Sequence, residues 1–159
     1  MQIGVIGLGR MGANIVRRLE RGGHSCVAYD VDAKVVARLA AEGLPAKPQL
    51  DDFLAALAPP RVVWVMVPAG APTQATVTRL GELMKRDDVI IDGGNSFYQD
   101  DIARAAALRP KGIHYLDVGT SGGVFGLERG FCLMIGGERA VAERLDPIFA
   151  TLAPGDDGV

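Results

Sequence analysis

Short apolar runs alternate with stretches patterned for helix along almost the whole chain, and that alternation leaves few folds open. The runs fall at 2–6, 25–30, 62–67, 89–92, 115–118 and 131–135. Several are continuously apolar, the pattern of strands covered on both faces. Between them, Met11, Ile15, Val16 and Leu19 make one helical stripe, with Asn14, Arg17, Arg18 and Arg21 opposite and Gly22-Gly23 at its end. Val35, Val36, Leu39 and Ala40 make the next, where Asp32 is placed to cap the start and Gly43 to end it. Further helices are predicted at 50–57, 72–84 and 97–108, the first stopped by Pro59-Pro60. In 138–150, Val141, Leu145 and Ile148 recur at helical spacing, and Pro147 is expected to kink or bound that helix. The order predicts an α/β fold of Rossmann type, doubly wound around a mostly parallel sheet. It would fill 1–154, and 155–159 reads as the start of a linker.

Within that frame the first βα turn is Gly7-Leu8-Gly9-Arg10-Met11-Gly12. Such a glycine pattern is weak alone. Here it follows a strand and opens a helix, the context in which the backbone can approach a pyrophosphate and a helix N-terminus can face it. Gly7 serves the tight turn, Gly9 the close approach and Gly12 the packing of helix on strand. Arg10 can add positive charge there or sit in solvent. Asp30 lies 21 residues beyond Gly9, where a ribose-binding acid is expected. A carboxylate there accepts bonds from ribose hydroxyls and repels a 2′-phosphate. No arginine follows between Val31 and Val35, and Lys34 is the cation present. The residues therefore favour NAD over NADP.

Three more loops fall at the carboxyl ends of strands, where open parallel sheets bind ligands. Val67-Pro68-Ala69-Gly70 is small and rigid, suited to lie against a cofactor or simply to turn. Asp92-Gly93-Gly94-Asn95-Ser96 offers bare backbone and, in Asn95, both a donor and an acceptor. Ser96 could instead cap the next helix. Asp117-Val118-Gly119-Thr120-Ser121-Gly122-Gly123 combines hydroxyls with free amides, suited to an anionic, polyhydroxylated ligand. His24 and His114 begin strands, so both should lie on the opposite edge. None of Lys34, Lys47, Lys85 and Lys111 follows a strand at the active edge, so no catalytic residue is expected in this chain.

Composition excludes other classes. With 48% hydrophobic and 23% charged residues the chain should be globular, and a net charge of −2 argues against a nucleic-acid groove. No apolar run reaches membrane-spanning length, and no secretory leader is visible. Cys26 and Cys132 lie in apolar runs and are expected to be buried. Two cysteines and two histidines without ligand-like spacing predict no structural metal. A reducing, cytoplasmic setting is expected.

Together these loops resemble the β-hydroxyacid dehydrogenase superfamily, and its decarboxylating 6-phosphogluconate dehydrogenase branch above all. The Asp-Gly-Gly-Asn-Ser string at 92–96 discriminates; relatives acting on 3-hydroxyisobutyrate usually carry a Ser/Thr-rich turn there, whereas Ser-Gly-Gly at 121–123 is shared. The resemblance implies that Gly7, Leu8, Gly9, Arg10, Met11, Gly12, Asp30, Val67, Pro68, Ala69 and Asn95 hold the cofactor. It implies that Asn95, Ser121, Gly122 and Gly123 hold the substrate, a sugar-acid phosphate. NADP-linked members carry Asn-Arg where this chain has Asp30-Val31, which points to the NAD-preferring subgroup. The family's catalytic lysine, and the acid after it, belong to a helical region beyond the Rossmann domain, and no residue here matches them. The chain is expected to be the amino-terminal part of a longer enzyme, inactive alone and homo-oligomeric when full length. The implied reaction oxidises 6-phosphogluconate at C3 and releases carbon dioxide to give ribulose 5-phosphate. Rival readings are another β-hydroxyacid dehydrogenase or imine reductase, a non-catalytic NAD-sensing module, and a structural domain whose glycines merely turn.

Overall fold

A computed structural model describes residues 1–155. The elements run β1 (Gln2–Ile6), α1 (Arg10–Arg21), β2 (Ser25–Tyr29), α2 (Ala33–Ala41), β3 (Ala46–Lys47), α3 (Leu50–Ala55), β4 (Val62–Val65), α4 (Ala71–Leu83), β5 (Val89–Asp92), α5 (Tyr98–Leu108), β6 (His114–Ser121), α6 (Gly126–Arg129), β7 (Cys132–Gly136), α7 (Arg139–Arg144) and α8 (Asp146–Leu152). They build a seven-stranded sheet of order β3-β2-β1-β4-β5-β6-β7. All pairs are parallel except β6 with β7. The Rossmann-type fold read from the sequence is the one observed.

The continuous apolar runs have the cause expected of them. In β4, Val62 and Trp64 face one core, while Val63 and Val65 face the other. In β5, Val89 and Ile91 face the first and Ile90 the second. A strand with helices on both faces cannot present a polar side. The first core is closed by Ile15, Val16 and Leu19 of α1 with Ile148 and Leu152 of α8. The second is closed by Phe53 of α3, Val77 and Leu80 of α4 and Leu108 of α5. At ~25 cal/mol per Å², full burial of each such side chain contributes about 1.5–3 kcal/mol.

Several boundaries differ from the sequence reading, each for a local reason. β3 was invisible because two residues carry no period; Ala46 and Lys47 are ordered by pairing with Ala28 and Tyr29. The turn expected from Gly119 onward is strand as far as Ser121, because antiparallel β7 continues the ladder to the Ser121–Cys132 pair. Met66 and Val67 lie beyond β4. Pro147 bounds rather than kinks: it takes an early position in α8, where its missing N–H costs nothing. Asp32 caps α2 as expected, accepting from the Lys34 amide at 2.9 Å. Arg18 does not simply face solvent. It donates to the Thr151, Leu127 and Ala153 carbonyls at 2.8, 3.1 and 2.8 Å, satisfying acceptors that the ends of α8 and α6 leave open. The linker expected at 155–159 lies, from residue 156 on, outside the described residues. Among the described residues no helix is long and apolar enough to cross a membrane.

The cysteines divide. Cys26 is buried, and burial pushes its thiol up to about 12, with Glu20 adding to the shift. Cys132 is exposed, against expectation, because β7 is the edge strand of the sheet among the described residues. One thiol per chain should react with an aromatic disulfide reagent near pH 8, and both after denaturation. Two fast-reacting thiols in the folded protein would contradict this burial. At Gly12 a Cβ would overlap the Gly7 carbonyl oxygen, so α1 could not close on β1. Gly12→Ala should therefore lower urea stability by about 1–3 kcal/mol, visible as an earlier midpoint at unchanged slope.

Candidate cofactor site

The sheet order reverses between β1 and β4, and the loops leaving their carboxyl ends part to form a crevice. The Gly7 amide donates to Tyr29 O at 3.0 Å, and Gly7 takes φ +91°, where a side chain would also strike the Met66 carbonyl. Gly9 has the opposite surroundings: nothing lies within 4 Å of where its Cβ would be. It is the exposed N-cap of α1 and makes no side-chain cap bond. The first amides of α1 therefore face open space with the positive end of the helix dipole behind them. Leu8 is fully buried and shapes the turn from within, and Met11 is partly buried against the core. Arg10 is exposed at the helix start.

Asp30 follows β2 and fastens this turn. Its Oδ2 accepts the Leu8 amide at 2.7 Å and its Oδ1 the Asp32 amide at 2.8 Å. Each oxygen keeps lone-pair capacity for a further donor. Asp30 lines a cleft of about 600 Å³ together with Gly7, Gly9, Val31, Val67 and Pro68. Arg79 of α4 lines it too and is ion-paired with Glu82 at 2.9 Å. That cation was missed in the sequence because it lies 49 residues beyond Asp30. The structure thus brings an open helix N-terminus, a bare Gly9 and an acid to one cleft.

Pro68 and Ala69 are exposed, and Thr73 Oγ1 pins the Pro68 carbonyl at 2.9 Å. In the next loop, Gly93 packs flat on the Trp64 indole, which occupies the place of a Cβ. Asp92 then clamps both flanks of Asn95. Its Oδ1 accepts the Gly94 amide at 2.9 Å, and its Oδ2 accepts the Ser96 hydroxyl at 2.6 Å. Ser96 is therefore not a helix cap. Asn95 stands exposed between two tethered residues. Ser121 ends β6, with Gly122 at φ +155° and Gly123 at φ +49° turning the chain away. None of Asn95, Ser121, Gly122 and Gly123 lines the 600 Å³ cleft.

Behind the Asn95 loop lies a buried polar cluster that the sequence reading did not find. Arg104 Nη1 lies 3.4 Å from Asp92 Oδ2 and 3.3 Å from Asp101 Oδ1. The Tyr115 hydroxyl lies 2.7 Å from Asp101 Oδ1 and 3.1 Å from Asp92 Oδ2. All four residues are buried, and among the described residues Asp101 Oδ2 has no partner. Burial pushes the Asp101 carboxyl up to about 6 despite the Tyr115 bond, with Asp117 and Asp92 adding repulsion. Burial, then Asp92, likewise raises Asp117 and Tyr115. The signal was available: Asp101, Arg104 and Leu108 share the inward stripe of α5, where charge is out of place.

The histidines and most lysines sit away from these loops. His24 contacts the Met1 amino group at 3.1 Å and Thr151 Oγ1 at 2.8 Å, and its pKa is lowered by burial and that amino group. His114 opens β6 beside Glu138 at 3.1 Å. Lys111 donates to the Gly81 carbonyl at 2.8 Å. Lys47 departs from expectation by ending a strand at the carboxyl edge, yet β3 is at the far side of the sheet from β5 and β6.

The description "NAD binding domain of 6-phosphogluconate dehydrogenase" matches residues 2–155. An NAD(+)-dependent, decarboxylating 6-phosphogluconate dehydrogenase of Haloferax volcanii is 43% identical over 158 residues, covering 99% of this chain and 52% of the relative. One of Bacillus subtilis, also described as NAD(+)-dependent, is 40% identical over 161 residues, covering 98% of this chain and 34% of its own length. The chain thus spans between a third and about half of these relatives. Among solved structures, 3-hydroxyisobutyrate dehydrogenase of Mycobacterium tuberculosis superposes with TM-score 0.86 at 25% identity, over 96% of this chain and 52% of that one. The 6-phosphogluconate dehydrogenase of Plasmodium falciparum, described with NADP+, superposes with TM-score 0.92 at 23% identity, over 99% and 35%. At that identity the likeness speaks for the fold.

Asp101 makes stability depend on pH. A carboxyl whose folded-state value lies above the ~3.9 of an unfolded aspartate stabilises fully below that value. Its contribution is lost as pH rises through about 6. Asp101→Asn stays neutral, so its melting temperature should gain on the wild type as pH is raised from about 5 to about 7.5. Melting curves by circular dichroism would show this; a pH-independent gap would refute it.

Proposed function

The chain belongs to the family of NAD-binding domains of 6-phosphogluconate dehydrogenase, and from that premise we propose that it is the cofactor-binding part of an enzyme converting 6-phosphogluconate to ribulose 5-phosphate, with NAD preferred over NADP. The observation that carries the reading is the shared cleft of Gly9 and Asp30: open amides at a helix N-terminus beside a carboxylate already oriented by two backbone donors. The relatives described as NAD(+)-dependent at 40–43% identity support the same preference.

Residue roles follow from the geometry. Gly9 and the first amides of α1 would receive the diphosphate, and Arg10 would add charge beside it. Asp30 would accept the ribose hydroxyls through its remaining lone pairs and repel a phosphate placed there. Val67, Pro68 and Ala69 would bound the cofactor on the β4 side. Asn95 would meet both cofactor and substrate, and Ser121, Gly122 and Gly123 would hold the sugar acid. When bound, the cofactor supplies the electron acceptor. This chain's residues bind and orient. The general base would come from the remainder of the enzyme, and the domain would occupy 1–154. The Asp-Gly-Gly-Asn-Ser loop favours this substrate over 3-hydroxyisobutyrate despite the structural likeness to that dehydrogenase.

Titration calorimetry should show NAD binding more tightly than NADP. Asp30→Asn removes the charge and should narrow the preference roughly tenfold, the scale of one charge-assisted hydrogen bond. Tighter binding of NADP by the wild type would overturn the cofactor assignment.

A further inference from the structure

One buried side chain touches groups that set two of the loops at the carboxyl edge. Arg104 Nε donates to Gln74 Oε1 on α4 at 3.0 Å, while Nη1 reaches Asp92 and Asp101. Gln74 lies in the first turn of α4, and its amide donates to Gly70 O at 2.9 Å. Thr73 in the same turn holds the Pro68 carbonyl. Asp92 holds the Gly94 amide and the Ser96 hydroxyl, one on each side of Asn95. Arg104 therefore bridges the helix start that anchors 67–70 and the carboxylate that anchors 93–96. A guanidinium suits this because its planar donors point in several fixed directions at once; a lysine cannot span such a set.

Packing does not require a charge here. Arg104 is 3% exposed, on the stripe of α5 that also buries Leu108. Burying an ion costs several kcal/mol before its partners offset it, and an apolar side chain would fill the same space without that cost. What the ion pair adds is orientation: Asp92 is fixed by Arg104 and Tyr115 on one side, so its other lone pairs meet the loop amide and hydroxyl in one geometry.

We propose that Arg104 is a positioning residue of the cofactor site: it fixes Asp92 relative to the start of α4, and so sets where Asn95 meets the nicotinamide end of the dinucleotide. The inference rests on the reading of Asn95 given above. Arg104 itself touches neither cofactor nor substrate.

Calorimetry of this chain with NAD and with ADP-ribose, which lacks the nicotinamide, separates positioning from stability. Arg104→Met should weaken NAD about tenfold and ADP-ribose less than twofold. Asn95→Ala should do the same, and the double variant should lose no more than either alone. Arg104→Lys should fall between, and Gln74→Ala, at an exposed position, should give about a twofold loss confined to NAD. These last two decide the matter if Arg104→Met does not fold. Equal weakening of both ligands, or of neither, would overturn the role of Arg104. If Asn95→Ala leaves the NAD to ADP-ribose ratio unchanged, the Asn95 reading falls and takes the inference with it. If that variant lowers the ratio and the Arg104 and Gln74 variants do not, the inference alone falls. A wild-type chain that binds neither ligand would overturn the cofactor reading itself.

Discussion

Helix α1 can begin where it does only because Gly12 lies directly against the Gly7 carbonyl. That close approach stacks the helix on the end of β1 and aims its first amides into the cleft. The Asp30 carboxylate then joins this turn to the end of β2 through the Leu8 and Asp32 amides. Two short local constraints therefore place an open helix N-terminus and an acid in one crevice, at the point where the strand order reverses. Moving either would separate the two groups.

Farther along the edge the structure relies on charge rather than close packing. Asp92 stands opposite Asp117 in the β5–β6 register, with Asp101 near both. Asp92 and Asp101 share one buried guanidinium, with Asp117 repelling Asp101, and such a set cannot ionise fully without cost. A raised Asp101 carboxyl relieves part of that conflict below about pH 6, while Asp92 holds the Asn95 loop. Stability and site geometry are linked through the same few atoms, a common condition of polar groups held close to a ligand site.

Much of this was legible in the chain. Periodicity gave six of the strands and most helices, because a strand covered on both faces must be apolar throughout and a surface helix must repeat near every third or fourth residue. The glycine turn, Asp30 and the loops at 67–70 and 92–96 could be placed at the carboxyl ends of strands because small residues mark where a strand turns. β3 left no trace, since two residues cannot show a period. Cys132 was misplaced because an apolar run does not say whether its strand is central or at an edge. Arg18 looked like a solvent-facing residue until α8 folded back and offered it open carbonyls.

By itself the sequence determined the fold class, the order of the longer elements and the glycine turn after β1, all governed by spacings of a few residues. Tertiary structure alone decided that β7 runs antiparallel, that Arg79 shares a cleft with Asp30, and that Asp92, Asp101, Arg104 and Tyr115 meet in one cluster. The reason is range. Local patterns report how a segment folds on itself, whereas these contacts join residues from separate elements, and their energies exist only after the sheet has set which strand ends are neighbours.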